Sequence, residues 1–374
     1  MWASDCPPPS GRCATDHGPF IGVFWQRAPI GGPQAWGSYR RLSPPHVHAV
    51  RPSIAASDND VYVTWVRQLS YLHDRPGAAR VVWVRASDDQ GLTWGSPIAL
   101  SFRGSRADFP VVAASGGDAW VVWTNAGTGE IRLAATTDGG AHWARSTIGT
   151  TTAGAGTLEG RRGLPGIGAA GTDVVVAWID RPGGRQVALV SHNAGGHWAG
   201  PTVLTNASPN DGLHYPIVRG ADDGVSDRVA VAYATHTGID VRTYEGSALG
   251  PARTVAGPWT DSPYVGGYGA TAAPWGTDGL TVAWSACRRV KSLPPSCHPS
   301  HAGARIGLRE QESGDDGRTW SPPLVLAAAS AGAPVNEVPS VEADGASGLR
   351  LFTWLRRSPN WSSYRVWART ASAS

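Results

Sequence analysis

Three side chains that can transfer protons occupy the same place in a repeated sequence pattern. Asp108, His214 and Glu337 each lie two residues before a proline that opens an apolar segment. Residues at one position of a structural repeat point in similar directions, so we expect these side chains to face a common centre. Two carboxylates across a cleft can act as general acid and base, which makes Asp108 and Glu337 candidate catalytic residues. The alternative is that they hydrogen-bond nearby backbone groups.

Arginine dominates the basic residues, and this bias favours an anionic ligand. Of the 32 lysines and arginines, only Lys291 is a lysine. Guanidinium groups bind carboxylates and sulfates through paired hydrogen bonds, whereas genomic base composition is the other explanation of the bias. The candidate ligand-binding residues in the loops that enter or leave the apolar segments are Arg67, Arg106, Arg161, Arg162, His214, Tyr215, Asp261, Arg288 and Arg356.

The elements that position these residues are marked by a recurring phrase, Ser/Thr-x-Asp-x-Gly-x-Thr/His-Trp. The phrase spans residues 87–94, 136–143 and 313–320, and residues 191–198 repeat it with Asn193 in place of the aspartate. We predict a hairpin turn in which the carboxylate accepts hydrogen bonds from its own turn and the glycine has a positive φ. The tryptophan is expected to pack on the sheet. The phrase therefore predicts architecture rather than catalysis.

A second repeated feature gives the number of sheets. Apolar segments that end in an aromatic residue recur at intervals typical of a four-stranded propeller blade with its loops. We therefore predict an all-β fold, a six-bladed β-propeller with four-stranded antiparallel blades. The six segments are Val61–Trp65, Ala119–Trp123, Val174–Trp178, Val229–Tyr233, Leu280–Trp284 and Leu349–Trp354.

The last blade has only three strands before the sequence ends, the third being Tyr364–Arg369. We predict that Trp36–Leu42 supplies its fourth strand, because closing the ring removes free sheet edges. A seven-bladed ring, with Phe20–Arg41 starting the seventh blade, is the alternative. The predicted domains are an N-terminal extension with a disulfide loop, residues 1–19, and a single propeller domain, residues 20–374.

Propeller topology separates the turns from the candidate site. Turns between third and fourth strands lie on one face, and loops that enter first strands or leave second strands lie on the other. Asp89, Asp138 and Asp315 are therefore predicted to be structural, whereas the arginine-rich loops surround the mouth of the central channel.

The four cysteines form two close pairs in sequence, Cys6 with Cys13 and Cys287 with Cys297. We favour two disulfides and an extracellular location, although four cysteines allow other pairings. Neither spacing fits a zinc site, and no metal or cofactor is predicted. The sequence has no run of apolar residues long enough for a membrane span, and its net charge of +3 argues against a nucleic-acid partner. A monomer is expected.

The repeated turns and six blades resemble the sialidase superfamily, also called BNR-repeat proteins, over roughly residues 20–371. The resemblance implies retaining glycoside hydrolysis with a tyrosine nucleophile, together with an aspartate acid/base and three arginines that bind a carboxylate. The sequence departs from that pattern. Val50 stands two residues before Pro52, where the family has arginine. Arg51 is shifted by one position, and on a regular strand this shift would turn its side chain to the other face, away from the site. Glu337 lies where a tyrosine would be expected, and Tyr264 and Tyr268 are the nearest substitutes, with Tyr264 the candidate nucleophile.

The predicted function is that of a secreted sialidase-like propeller that binds an acidic glycan or a protein ligand at its arginine-rich channel mouth. The alternative is a glycoside hydrolase of the sialidase superfamily with non-standard catalytic residues. A structural subunit is a third possibility.

Overall fold

The computed structural model describes most of the 374-residue chain. The described residues are 2–4, 22–27, 37–68, 79–152, 164–181, 185–191, 195–206, 216–221, 227–235, 238–246, 248–255, 270–287, 306–328, 335–343, 349–357 and 364–372.

The described residues form strands and turns without a helix, so none belongs to a helix that could cross a membrane. All strand pairs within the sheets are antiparallel. The chain divides into two compact units, Met1–Pro165 and Gly166–Ser374.

The first unit contains three sheets. The N-terminal sheet is three-stranded and comprises β1 (Trp2–Ser4), β2 (Gly22–Trp25) and β3 (Arg40–Arg41). Sheet 1 comprises β4 (His48–Ser57), β5 (Asp60–Gln68), β6 (Arg80–Ser87) and β7 (Ile98–Ala99). Sheet 2 comprises β8 (Ala107–Ser115), β9 (Asp118–Asn125), β10 (Glu130–Thr136) and β11 (Ala144–Thr150).

The second unit contains four sheets. Sheet 3 comprises β12 (Gly166–Ala170), β13 (Asp173–Arg181), β14 (Arg185–Ser191) and β15 (Ala199–Thr205), and sheet 4 comprises β16 (Ile217–Ala221), β17 (Arg228–Ala234), β18 (Ile239–Tyr244) and β19 (Arg253–Thr254). Sheet 5 comprises β20 (Ala270–Trp275), β21 (Gly279–Cys287), β22 (Ile306–Ser313) and β23 (Leu324–Ala327), and sheet 6 comprises β24 (Val335–Ala343), β25 (Arg350–Arg357) and β26 (Tyr364–Ala371).

The second strand of a sheet is its most apolar element, because both of its faces are covered. In β5 every residue from Val61 to Val66 is buried. Successive sheets within a unit pack face to face, as where Val82 of sheet 1 contacts the cluster formed by Val112 and Val121 of sheet 2. Burying one such side chain contributes about 1.5–3 kcal/mol, so these interfaces hold the sheets together.

The repeated turns have the predicted geometry. In the turn of residues 87–94, Thr93 donates its backbone N–H to Oδ1 of Asp89 at 2.7 Å and its hydroxyl to Oδ2 at 2.6 Å. Gly91 has φ of 80°, and its N–H donates to Oγ of Ser87 at 2.8 Å. The pKa of Asp89 falls to about 2, chiefly because of the Thr93 hydroxyl, and Asp138 and Asp315 behave alike. The turns join third to fourth strands, as predicted.

The turn glycines also set the distance to the preceding sheet. A Cβ on Gly91 would lie 2.7 Å from the ring of Trp25 in the N-terminal sheet, and one on Gly140 would lie 2.9 Å from Cβ of Ala86 in sheet 1. Gly317 similarly faces Arg253 of sheet 4. Each turn therefore packs against its neighbour through a residue that has no side chain.

The all-β prediction with several four-stranded antiparallel sheets is confirmed, but the predicted closure is not. Among the described residues, Arg40 and Arg41 pair with Trp25 and Phe24 rather than with sheet 6, and β26 pairs with β25. The described residues form seven sheets, so the count of six blades remains a prediction. The division at Pro165 does not test the predicted domain limits.

Sheet 5 carries a carboxylate at a core position. Glu310 lies three residues before Ser313, the first residue of its turn. The residues three places before the turn in sheets 1, 2 and 3 are Val84, Leu133 and Ala188, all buried. The side chain of Glu310 is itself buried, with 3% of the residue exposed, and its Oε2 has no hydrogen-bond partner among the described residues.

Burial raises the pKa of Glu310, and the neighbouring Glu312 carboxylate raises it further, whereas Arg350 and Arg369 oppose the shift. A raised folded-state pKa means that the folded chain holds its proton more tightly than the unfolded chain. The favourable contribution of protonated Glu310 to the free energy of unfolding is therefore fully present below the ordinary glutamate pKa. It is lost as the pH rises through the folded-state pKa of Glu310.

We expect Glu310→Leu to raise the free energy of unfolding by about 1–3 kcal/mol at neutral pH, because it removes a carboxylate whose charged form is disfavoured by burial. The gain should shrink as the pH falls towards the ordinary glutamate pKa, where wild-type Glu310 is protonated. Urea denaturation across this pH range measures both effects. Glu245→Leu, at an exposed position, is the control, and a gain that did not change with pH would contradict the prediction.

Substitutions at the neighbouring Gly139 and Gly140 test the packing of the turn. Both residues have positive φ, 68° and 92°, but only Gly140 faces sheet 1, since a Cβ on Gly139 would meet nothing within 4 Å. We expect Gly139→Ala to cost about 1 kcal/mol of stability through backbone strain alone. Gly140→Ala should cost a further 1–3 kcal/mol, roughly, through overpacking. Equal melting temperatures for the two variants would show that the close contact is unimportant.

Candidate functional site

The strand register of sheet 1 places its turn and its arginines at opposite ends. Ser87, which begins the turn, pairs with Val61 at the start of β5, and Arg80 pairs with Gln68 at the end of β5. Arg67 therefore lies at the end of the sheet opposite to Asp89. The predicted separation of the turn from the arginine-rich loops holds within this sheet.

A β-bulge interrupts the first strand of both sheets at this end. The register of β4 shifts between Val50 and Ser53, and that of β8 shifts between Asp108 and Val111. The residue before the proline of each bulge has a positive φ, and Phe109 has 53°. A bulge bends its strand and redirects the side chains, so strand alternation does not apply across it.

The bulges bring Asp108 between two arginines. Arg51, whose φ is 54°, donates from Nη1 to Oδ1 of Asp108 at 2.5 Å, and Arg80 donates from Nη1 to Oδ2. The side chains of Asp108 and Arg80 are 4% and 9% exposed, whereas that of Arg51 is 32% exposed. The expectation that Arg51 would turn away from the site is therefore wrong, because the bulge reorients it.

Aromatic rings orient two of the guanidinium groups at this end. The guanidinium carbon of Arg51 lies 4.2 Å from the centre of the Phe109 ring, and that of Arg67 lies 5.6 Å from the Trp83 ring. Cation–π contacts of this kind contribute about 0.5–2 kcal/mol and limit the orientations of the side chain.

Arg106 completes a group that we call the arginine cluster: Arg51, Arg67, Arg80 and Arg106, with Asp108. Arg106 is half-buried, and its backbone is bridged to that of Arg80. The backbone N–H of Arg80 donates to the carbonyl of Ser105 at 2.8 Å, which fixes the loop before β8. The four guanidinium groups share one end of sheets 1 and 2, but Arg67 lies on the face of sheet 1 that carries Trp83, opposite to the face that carries Arg80.

Two other predicted site residues lie in sheet 6. Glu337 and Arg356 lie on the paired strands β24 and β25, where Glu337 is opposite Leu355 and Arg356 is opposite Asn336. The side chains of Glu337 and Arg356 are not described. The predicted site residues that lie outside the described residues are Tyr264, Arg161, Arg162, His214, Tyr215, Asp261 and Arg288. Their roles remain predictions.

Three of the four cysteines, Cys6, Cys13 and Cys297, also lie outside the described residues, so the two disulfides remain predictions. Within the described residues, no three His, Cys, Asp or Glu side chains are close enough together to hold a metal ion.

The sequence predicted Asp108, Arg67 and Arg106 as candidate site residues but did not predict Arg51 or Arg80, which the structure places in contact with Asp108. The sequence did contain a sign of the bulge at Arg51. Arg51 precedes Pro52 at the same place in the repeat where Phe109 precedes Pro110. For Arg80 no such signal exists, since its contact with Asp108 joins different sheets.

We expect Asp108→Ala to lower the free energy of unfolding by about 3 kcal/mol or more, because it removes the carboxylate that pairs with the buried Arg80 and with Arg51. Arg51→Ala should cost less, since the Arg51 side chain is partly exposed to water. Denaturation curves of the two variants measure the difference. If Asp108→Ala were as stable as the wild type, the ion pairs would not be holding the two bulges together.

No known protein family model matches the chain, and no curated protein sequence matches it. Solved structures do match. The intramolecular trans-sialidase from Ruminococcus gnavus, in complex with oseltamivir carboxylate, is similar over 94% of this chain and 88% of that chain, with 9% sequence identity and a TM-score of 0.52.

Two further solved structures have lower TM-scores. A Trypanosoma rangeli sialidase in complex with the inhibitor DANA matches over 94% of this chain, with 11% identity and a TM-score of 0.45, and this chain spans 50% of its length. The Penicillium chrysogenum alpha-L-arabinanase complexed with arabinobiose matches over 87% of this chain and 93% of that chain, with 13% identity and a TM-score of 0.47. At such low identity a match shows only the fold, and the Ruminococcus gnavus structure carries this conclusion: the chain has a sialidase-like β-propeller fold.

Proposed function

We propose that the protein is an extracellular carbohydrate-binding propeller that holds an acidic glycan at the arginine cluster. The observation that supports this most directly is the excess of positive charge at one end of two packed sheets. Asp108 neutralises only part of the charge of Arg51 and Arg80, and Arg67 and Arg106 add two more guanidinium groups. The proposal assigns one propeller blade to each of sheets 1–6.

The guanidinium groups are partly open to solvent. Arg51, Arg67 and Arg106 are half-buried, so each is supported by the protein and still reaches water. Among the described residues, neither Arg67 nor Arg106 forms an ion pair. A guanidinium group has five N–H donors in a planar arrangement, and a carboxylate or sulfate binds two of them at once.

Preorganisation favours binding at this surface. Phe109 and Trp83 hold the guanidinium groups of Arg51 and Arg67 in place before a ligand arrives. Less side-chain freedom is then lost on binding, which increases affinity without adding a contact. Arg80 and Asp108 are buried and already paired, so we assign them a supporting role.

Glycoside hydrolysis is the second candidate function, because the Ruminococcus gnavus structure that shares the fold is named an intramolecular trans-sialidase. Such a reaction would need a proton donor and a nucleophile. Both oxygens of Asp108 already accept hydrogen bonds from arginines, which disfavours Asp108 as the acid. Glu337 and Tyr264 remain the proposed alternatives.

Binding to sialylated, uronic-acid and sulfated glycans, compared with their neutral counterparts, tests the proposal. We expect acidic glycans to bind and high salt to weaken the binding, since the attraction is electrostatic. Arg67→Ala and Arg106→Ala should each weaken binding roughly tenfold, as expected for a hydrogen bond between charged groups.

Arg318→Ala, which removes an exposed arginine at a turn of sheet 5, is the matched control and should leave binding unchanged. Equal binding of neutral glycans, or no effect of either cluster variant, would contradict the proposal. Release of a sugar from any bound glycan, and its loss in Glu337→Gln, would instead support the hydrolase.

A further inference from the structure

A groove between sheets 1 and 2 forms a concave site in the first unit. It encloses about 200 Å³ and is lined by the loop that follows β7 and by residues of β9, β10 and β11. The residues that line the groove include Leu100, Phe102, Trp123, Asn125, Arg132 and Arg145. The groove shares no residue with the arginine cluster.

Arg145 spans this groove. It belongs to β11 of sheet 2, and its Nη2 donates to the carbonyl oxygen of Ala99 in β7 of sheet 1 at 2.9 Å. Among the described residues this is its one hydrogen bond, so most of its N–H donors remain for a ligand. The bond across the groove fixes the guanidinium group at the site.

Arg132 provides a second guanidinium group in the same groove. Its Nη1 donates to Oγ1 of Thr147 at 2.8 Å, and the same nitrogen lies 3.7 Å from Oε1 of Glu130. The Arg132 side chain is 31% exposed. Two arginines and the carboxylate of Glu130, which forms an ion pair with Arg132, leave the groove with a net positive charge, which favours an anionic ligand.

Apolar surface accompanies these charges. Phe102 is 67% exposed, although large apolar side chains are usually buried, and Trp123 and Leu100 line the groove from the core. An exposed aromatic ring beside fixed polar groups is typical of a small-molecule site, in which the ring supplies contact area and the polar groups set the orientation.

We propose that this groove binds a single sugar ring that carries a carboxylate, such as a hexuronic acid. The carboxylate binds Arg145 and Arg132, the apolar face of the ring packs on Phe102, and a hydroxyl reaches the amide of Asn125. A volume of about 200 Å³ equals that of roughly seven water molecules, which accommodates one sugar ring. This site is independent of the arginine cluster, so either proposal can fail alone.

Saturation-transfer NMR with methyl β-glucuronide, and with methyl β-glucoside as the neutral counterpart, tests the groove. We expect the glucuronide to bind the wild-type protein and the glucoside to bind at least tenfold more weakly, roughly, because it lacks the charged hydrogen bonds. Phe102→Ala and Arg145→Ala should each weaken glucuronide binding by about the same factor. Both residues are exposed, so folding of the variants can be verified by their melting temperatures.

Arg67→Ala separates the two sites. Glucuronide binding that persists in Arg67→Ala and is lost in Phe102→Ala and Arg145→Ala supports the groove. Binding that is lost only in Arg67→Ala places the sugar at the arginine cluster and overturns this inference. Absence of glucuronide binding to the wild type, or equal binding of the glucoside, also overturns it.

Discussion

The hydrogen bonds within the repeated turns are the constraint on which the rest of the fold depends. The carboxylates of Asp89, Asp138 and Asp315 each accept a backbone N–H and a side-chain donor from the residue four places later. These bonds hold the turn glycine at a positive φ and present it to the preceding sheet. The close sheet packing, and hence the alignment of the opposite strand ends, follows from this local geometry.

At the other end of sheets 1 and 2, backbone strain and electrostatics depend on each other. Arg51 and Phe109 adopt a left-handed conformation, which costs a residue with a side chain about 1–2 kcal/mol. The same bulges allow Arg51 to reach Asp108 and to stack on Phe109. These contacts offset the strain, so the bulges and the buried carboxylate form one cooperative unit.

Local features of the fold could be predicted from the sequence, and features that join distant segments could not. The turns follow from eight consecutive residues, and the second strands follow from apolar runs such as Val61–Trp65. The pairing of Arg40–Arg41 with β2 involves only two residues of each strand, which leaves no periodic pattern to detect. Arg51 was misjudged because period-two alternation fails at a bulge. Glu310 breaks the apolar pattern of its own strand and could be understood only from its surroundings.

The turn glycine has a consequence for how such a chain could change its length over evolution. Each sheet that has this turn contacts the sheet before it through the turn glycine. The residue contacted on the preceding sheet differs each time, being Trp25, Ala86 or Arg253, so the contact does not require one particular side chain. A duplicated gene segment that encodes one whole sheet would therefore also encode the turn through which that sheet packs on the preceding one. Sheets could then be gained or lost without the evolution of a new interface. The loops at the ends of the sheets opposite to these turns could change sequence independently.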